Sequence, residues 1–178
     1  MKKMQKGFTL IELLVVVAII AILALIVMLA INPVEMARRS RDSRRLADLA
    51  TLRKAVDLSL TDNKTLTAGS YTSGAQTLGC SDATNFLGGL DVCKYLSTLP
   101  QDPRHDTAGN TQATDGTGCG TATPGKVNKT GAEMIYTFTT DGDTYEIDSF
   151  LESTDNCTIV NGDGGNNDAA YEIGTKIK

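Results

Sequence analysis

A glycine followed by an aromatic residue, Gly7-Phe8, closes a short leader whose charges are Lys2, Lys3 and Lys6. Four residues on, Glu12 is the single formal charge in the 24 residues from Phe8 to Ile31, FTLIELLVVVAIIAILALIVMLAI. Cutting after Gly7, where no side chain obstructs a protease, would free an α-amino group at Phe8, one helical turn from Glu12. A neighbouring copy displaced along the helix axis could offer that amine to this carboxylate, which makes Glu12 a candidate assembly residue. A charge at that depth is costly when unpaired. The plainer alternative is a carboxylate that snorkels to the headgroups, because Glu12 lies near the end of the apolar run.

The other residues with chemistry to offer lie in the back half. Four cysteines permit three pairings. Cys80–Cys93 would close a small loop, and Cys119–Cys157 would pin a long Gly-rich excursion to the end of a hairpin, so these two are the expected disulfides. A catalytic thiol has no partner beyond the single histidine, His105, and a zinc site lacks the close Cys spacing it needs. Asp155, Asn161, Asp163 and Asp168 supply oxygen ligands in and beside the segment NGDGGNND. Asn161, Asp163 and Glu172 fall at positions 1, 3 and 12 of an EF-hand spacing, but Gly165 and Asn166 occupy positions 5 and 6, so that motif fails. A different calcium loop and a polar surface turn both fit. No other cofactor is expected. With no strong catalytic motif, the chain is not expected to be an enzyme.

The elements that must position these groups divide sharply. Residues 1–60 hold ten Lys/Arg against five Asp/Glu and one of the 17 glycines; residues 61–178 hold seven against 16 and the other 16 glycines. A basic, apolar front joined to an acidic, Gly-rich back is not one soluble core, and a net charge of −4 gives no nucleic-acid footprint. As a helix, Phe8–Ile31 is about 36 Å long, enough to cross roughly 30 Å of hydrocarbon. The leader lysines favour a cytoplasmic amino end, while Arg38, Arg39, Arg41, Arg44 and Arg45 oppose it. Four cysteines in a Gly/Thr/Asn-rich domain decide for an oxidising exterior. Those arginines read as a solvated face flanking the span, or else as contacts to anionic headgroups or to acidic faces of other subunits such as Asp42, Asp48 and Asp57.

Leu46, Leu49, Leu52, Val56 and Leu60 recur at helical spacing, so 34–60 reads as an amphipathic helix, with Arg41, Arg44, Arg45, Asp48 and Lys54 mainly off the stripe. Asn32-Pro33 interrupts the helical run. Residues 63–79 and 104–131 read as loop, and 82–99 as a short helix ended by Pro100. The clearest strands, EMIYTFTT and DTYEIDSFL within 133–151, flank Asp141-Gly142 as a two-residue turn. That turn pairs Thr140 with Asp143, Phe138 with Tyr145, and Tyr136 with Ile147. A last short strand is expected at 170–177. Asn63, Asn128 and Asn156 begin weak N-x-T sequons.

The leader KKMQKG followed by FTLIELLVVVAIIAILA resembles the class III signal and amino-terminal helix of type IV pilins and type II secretion pseudopilins. Gly7, Phe8, Thr9, Leu10, Ile11 and Glu12 match its pattern residue by residue. The resemblance implies cleavage between Gly7 and Phe8 by a prepilin peptidase, with methylation of the new amine. It implies passage through the inner membrane and packing of the helix into a filament core. It also implies an α+β fold: a long amino-terminal helix packed on a small antiparallel sheet, disulfide-stapled. The expected organisation is a leader at 1–7, a membrane or filament-core helix at 8–32, an amphipathic helix at 33–60, and a head at 61–178. The function implied is a homopolymeric pilin of an extracellular type IV pilus, handled by pilus or secretion assembly machinery. The runner-up is a pseudopilin forming a short periplasmic piston, and a third class is a membrane-tethered monomeric binding domain. Adhesion, motility and DNA uptake are family capabilities among which the sequence does not choose.

Overall fold

The computed structural model describes residues 7–62, 64–73, 79–80, 86–121 and 123–175. The leader lysines, Asn63, residues 82–85 of the expected short helix and the end of the expected last strand lie outside them. The chain is α+β and divides into two compact units, Met1–Met36 and Ala37–Lys178.

In the first unit, α1 runs from Leu10 to Ala30. Its end is dictated by Ile31, Asn32 and Pro33. Ile31 is extended (φ −97°, ψ 110°), and the approach to Pro33 disfavours the helical region for the preceding residue. The Asn32 side chain accepts from the Glu35 N–H at 3.2 Å, and Pro33 opens α2, Pro33–Thr61, at the position where its missing N–H has no helical partner to lose. The proline thus starts a second helix rather than kinking one.

In the second unit, α2 buries Asp42, Arg45, Leu49, Leu52, Ala55, Val56 and Ser59. The apolar members meet the inner face of a four-stranded antiparallel sheet in the order β1-β4-β5-β6: β1 Gly69–Thr72, β4 Thr137–Thr140, β5 Tyr145–Ser149 and β6 Tyr171–Gly174. A separate pair, β2 Asn110–Thr114 and β3 Lys126–Thr130, lies in the segment expected to be loop. Strands β1, β2 and β3 escape a hydrophobicity reading because their side chains are mostly Thr, Ser, Asn, Gln and Lys; β1 is largely exposed, with Tyr71 packed against the core beside Phe138. A five-residue helix, α3, spans Cys157–Asn161.

Two further expectations are corrected. From Leu87 onward the 86–99 segment runs in turns, with Gly88 and Gly89 at φ +63° and +85°, a left-handed pair that cannot continue a helix. Phe86, Leu87, Leu90 and Val92 still enter the core. The hairpin register is Thr140↔Tyr145 and Phe138↔Ile147, two residues from the one a tight Asp141-Gly142 turn requires. The cause is Asp141: its carboxylate accepts the N–H groups of Asp143 (3.0 Å) and Thr144 (2.7 Å) and the Thr144 hydroxyl (3.0 Å), which holds a four-residue loop. Those bonds draw the Asp141 pKa down to about 2. An even shift keeps every side chain on its own face, so Phe138, Tyr145 and Ile147 remain in the core. Phe138 stacks on Tyr145 at 5.6 Å and meets Phe86 edge-on at 6.5 Å.

The buried tyrosines also tie sheet to helix by their polar tips. The Tyr136 hydroxyl donates to Asp48 at 2.8 Å, and the Tyr145 hydroxyl donates to Asp57. Disulfides join Cys80 to Cys93 and Cys119 to Cys157. The second closes 38 residues of Gly-rich chain onto α3. Replacing both Cys119 and Cys157 with serine is expected to cost about 2–4 kcal/mol of head stability, measured as the shift in the denaturant midpoint.

Candidate functional site

The amino-terminal candidates sit on one short stretch. Phe8 is 93% exposed, and Thr9, in extended backbone, caps α1. The Thr9 hydroxyl accepts from the Glu12 N–H at 3.2 Å. In return the Glu12 carboxylate accepts both the Thr9 N–H and the Thr9 hydroxyl at 2.8 Å through Oε2. This is a reciprocal capping box, which satisfies two of the donors that a helix start leaves open. The sequence carried its signature, Thr-x-x-Glu, and reading Glu12 only for its charge missed it. Glu12 therefore has partners within its own chain, and Oε1 is the oxygen that takes no hydrogen bond among the described residues. The stretch that contains it, Leu10–Met28, is long and apolar enough to span a membrane, with none of it buried. A helix that is apolar all round and unburied needs lipid or other helices against it.

Residues 2–28 match the prokaryotic N-terminal methylation motif. That motif is the class III signal peptide of type IV pilins and pseudopilins. The front of this chain is pilin-like. No curated protein and no solved structure matches the chain. The motif implies processing by prepilin peptidase, membrane anchoring before assembly, and a structural rather than enzymatic role.

The Arg44–Asp48 pair is the one that helical spacing gives, but the arginines beyond α1 also build a buried cluster that none of the sequence readings anticipated. Arg45 is fully buried, and so is Asp42. The Arg45 guanidinium donates to Asp102 through two nitrogens (2.6 and 3.0 Å), to Asp42 at 2.8 Å, and lies 2.8 Å from Glu152. Arg41 grips Glu152 with two bonds of 2.8 and 2.6 Å. Asp42 further accepts the N–H groups of Glu152 and Ser153 and the Asn156 amide. Arg39 pairs with Asp155, and Arg44 with Asp48 at 3.7 Å. Burial alone would lower the Arg45 pKa; the hydrogen bonds to Asp102 and the charges of Asp102, Glu152 and Asp42 outweigh it and hold the group cationic. Burial would likewise raise Glu152, yet Arg41 and Arg45 bring it down to about 2. The missed signal was periodic: stepping back from Leu52 and Leu49 by helical intervals reaches Arg45 and Asp42, on the inward stripe rather than off it.

At the carboxyl end, Asp163 spends one oxygen on the Gly165 N–H (2.9 Å) and the other on the Glu172 N–H (2.8 Å), while Asp155 faces Arg39. Among the described residues, the acidic side chains close enough to share an ion are instead Glu146, Asp148 and Glu172, all within 4.8 Å across β5 and β6. Burial and the neighbouring Glu146 push Asp148 up to about 8; burial, with Glu146 and Asp163 nearby, pushes Glu172 up to about 7. Raised carboxyls stabilise the fold fully below their ordinary range near 4 and cease to do so as pH climbs through 7 to 8. Glu152 has the opposite sign, contributing above about 4.5 and failing as pH falls toward 2. Head stability is therefore expected to peak near pH 4–5 and to decline from there towards pH 8. Urea titrations across that range check this, and Asp148→Asn flattens the alkaline limb.

Proposed function

We propose that the chain is the structural subunit of a type IV pilus, a homopolymer extending from the cell surface. Prepilin peptidase cuts between Gly7 and Phe8, and the new amine is methylated. The processed subunit waits in the inner membrane on α1, then enters a filament whose core is α1 of many copies and whose wall is the heads. Glu12 receives the α-amino group of Phe8 from a neighbouring copy, approaching Oε1.

The observation that carries this reading is α1 itself: 21 residues, most of them inside the methylation motif, apolar on every face, unburied over Leu10–Met28, with one carboxylate in the first turn. An ordinary anchor needs no such acid, and a soluble helix would bury a face.

Electron microscopy of sheared surface material, with mass spectrometry of its main subunit, tests the proposal. Long filaments whose subunit begins at N-methylated Phe8 support it. Short fibres found only with secretion machinery point to the pseudopilin, and a membrane monomer retaining Met1–Gly7 overturns both.

A further inference from the structure

Ahead of residue 41 no residue of α2 is buried, and apolar burial begins only at Leu49; the first buried positions are Asp42 and Arg45. The helix meets the head first through charge and then through hydrocarbon. Asp42 and Arg45, one turn of α2, are tied to residue 102, which is 57 positions beyond Arg45, and to 152–156, which lie 110 or more beyond Asp42. The second of these anchors is itself fixed, because Cys157 follows Asn156 and is bonded to Cys119.

We infer that this buried charge cluster is a stop against unwinding of α2. Fraying from the amino end of the helix passes the exposed Arg39–Asp155 pair, which holds little, and halts at residue 41. A pull transmitted along the helix in a polymer, which rests on the filament reading, is then borne by Asp42, Arg45 and the disulfide-backed 152–157 segment instead of by the Leu49–Val56 packing. The physical reason is the shape of the loss. Apolar contact is surrendered a residue at a time as a helix peels. A bidentate pair of desolvated charges holds until it breaks as a unit, leaving uncompensated ions in the interior. A helix peeled from its amino end meets the charged bonds first.

Hydrogen exchange read by mass spectrometry, on the full chain in detergent micelles, tests this. In the wild type, amides of 37–41 exchange rapidly and those from 45 to 60 are protected. Asp102→Asn, which keeps side-chain shape, moves the boundary to about Leu49 and speeds exchange at 42–48 by roughly a hundredfold, while β4 and β5 stay protected. Arg45→Lys, which keeps the charge but not the two-pronged grip, moves it part of the way. Uniform protection from residue 37 onward in the wild type overturns the inference. So does a boundary that Asp102→Asn leaves in place, or an exchange increase shared equally by the sheet, which is what a merely structural residue gives. Should Asp102→Asn fail to fold, the wild-type profile and Arg45→Lys decide. Absence of filaments in micrographs of the same strain sinks the filament reading and leaves the micelle profile standing, so the two failures are told apart.

Discussion

Glu12→Val subunits are expected to insert, to lose their leader and to accumulate in the membrane, while filament yield falls by roughly two orders of magnitude. Insertion is not impaired because the substitution lengthens an already apolar helix. Polymer yield falls because an α-amino group brought against α1 in low-dielectric surroundings then finds no carboxylate and remains an unpaired charge. The Thr9–Glu12 capping box complicates a simple reading of that variant, since valine removes both the charge and the cap. Glu12→Gln separates them: glutamine also serves in a capping box but brings no negative charge. If the intersubunit pair is what matters, Glu12→Gln polymerises as poorly as Glu12→Val. Wild-type filament yield from Glu12→Gln, measured by shearing and immunoblot beside membrane-fraction controls, would show that the cap matters and the pairing does not.

Arg45→Ala is expected to cost the head about 3–5 kcal/mol, the range for breaking a buried ion pair from one side. The guanidinium is fully buried and serves three carboxylates at once. Without it Asp102 loses the guanidinium donors and, among the described residues, keeps the Arg104 N–H at 2.7 Å, while Arg41 still holds Glu152. A head of this size should melt about 10–15 °C lower. By contrast, Arg44→Ala removes an exposed pair at 3.7 Å and is expected to shift the midpoint by less than about 0.5 kcal/mol. Thermal unfolding followed by circular dichroism compares the two. Equal midpoints for both variants would mean that the buried cluster holds nothing together.

The contrast between those two arginines shows where sequence reasoning stops. Arg44 and Arg45 are neighbours of one type in one basic run; helical periodicity turns Arg45 inward, but nothing local supplies the partners that let its charge be buried. Arg45 is interior because Asp102 and Glu152, from distant parts of the chain, converge on it. Each of those acids looked like one more charge in an acidic head. The hairpin repeats the lesson at shorter range. Asp141-Gly142 announced a turn, but whether it closes in two residues or four was decided by three hydrogen bonds to one carboxylate. The polar strands β1, β2 and β3 were hidden for a related reason: their place comes from backbone pairing, which leaves little mark on residue type.

What the sequence determined by itself was the front and the class of fold. An uninterrupted apolar helix behind a Gly-Phe junction, the Thr-x-x-Glu start, the Asn-Pro restart and the alternation of inward Tyr136, Phe138, Tyr145 and Ile147 along the hairpin are local patterns. Their physics is settled within a turn or a hairpin. Only the tertiary structure decided which charges are buried, which acids crowd together across β5 and β6, and how the helix is fastened to the head. Those outcomes depend on desolvation and on partners a hundred residues away, and neither is a property of any one stretch of chain.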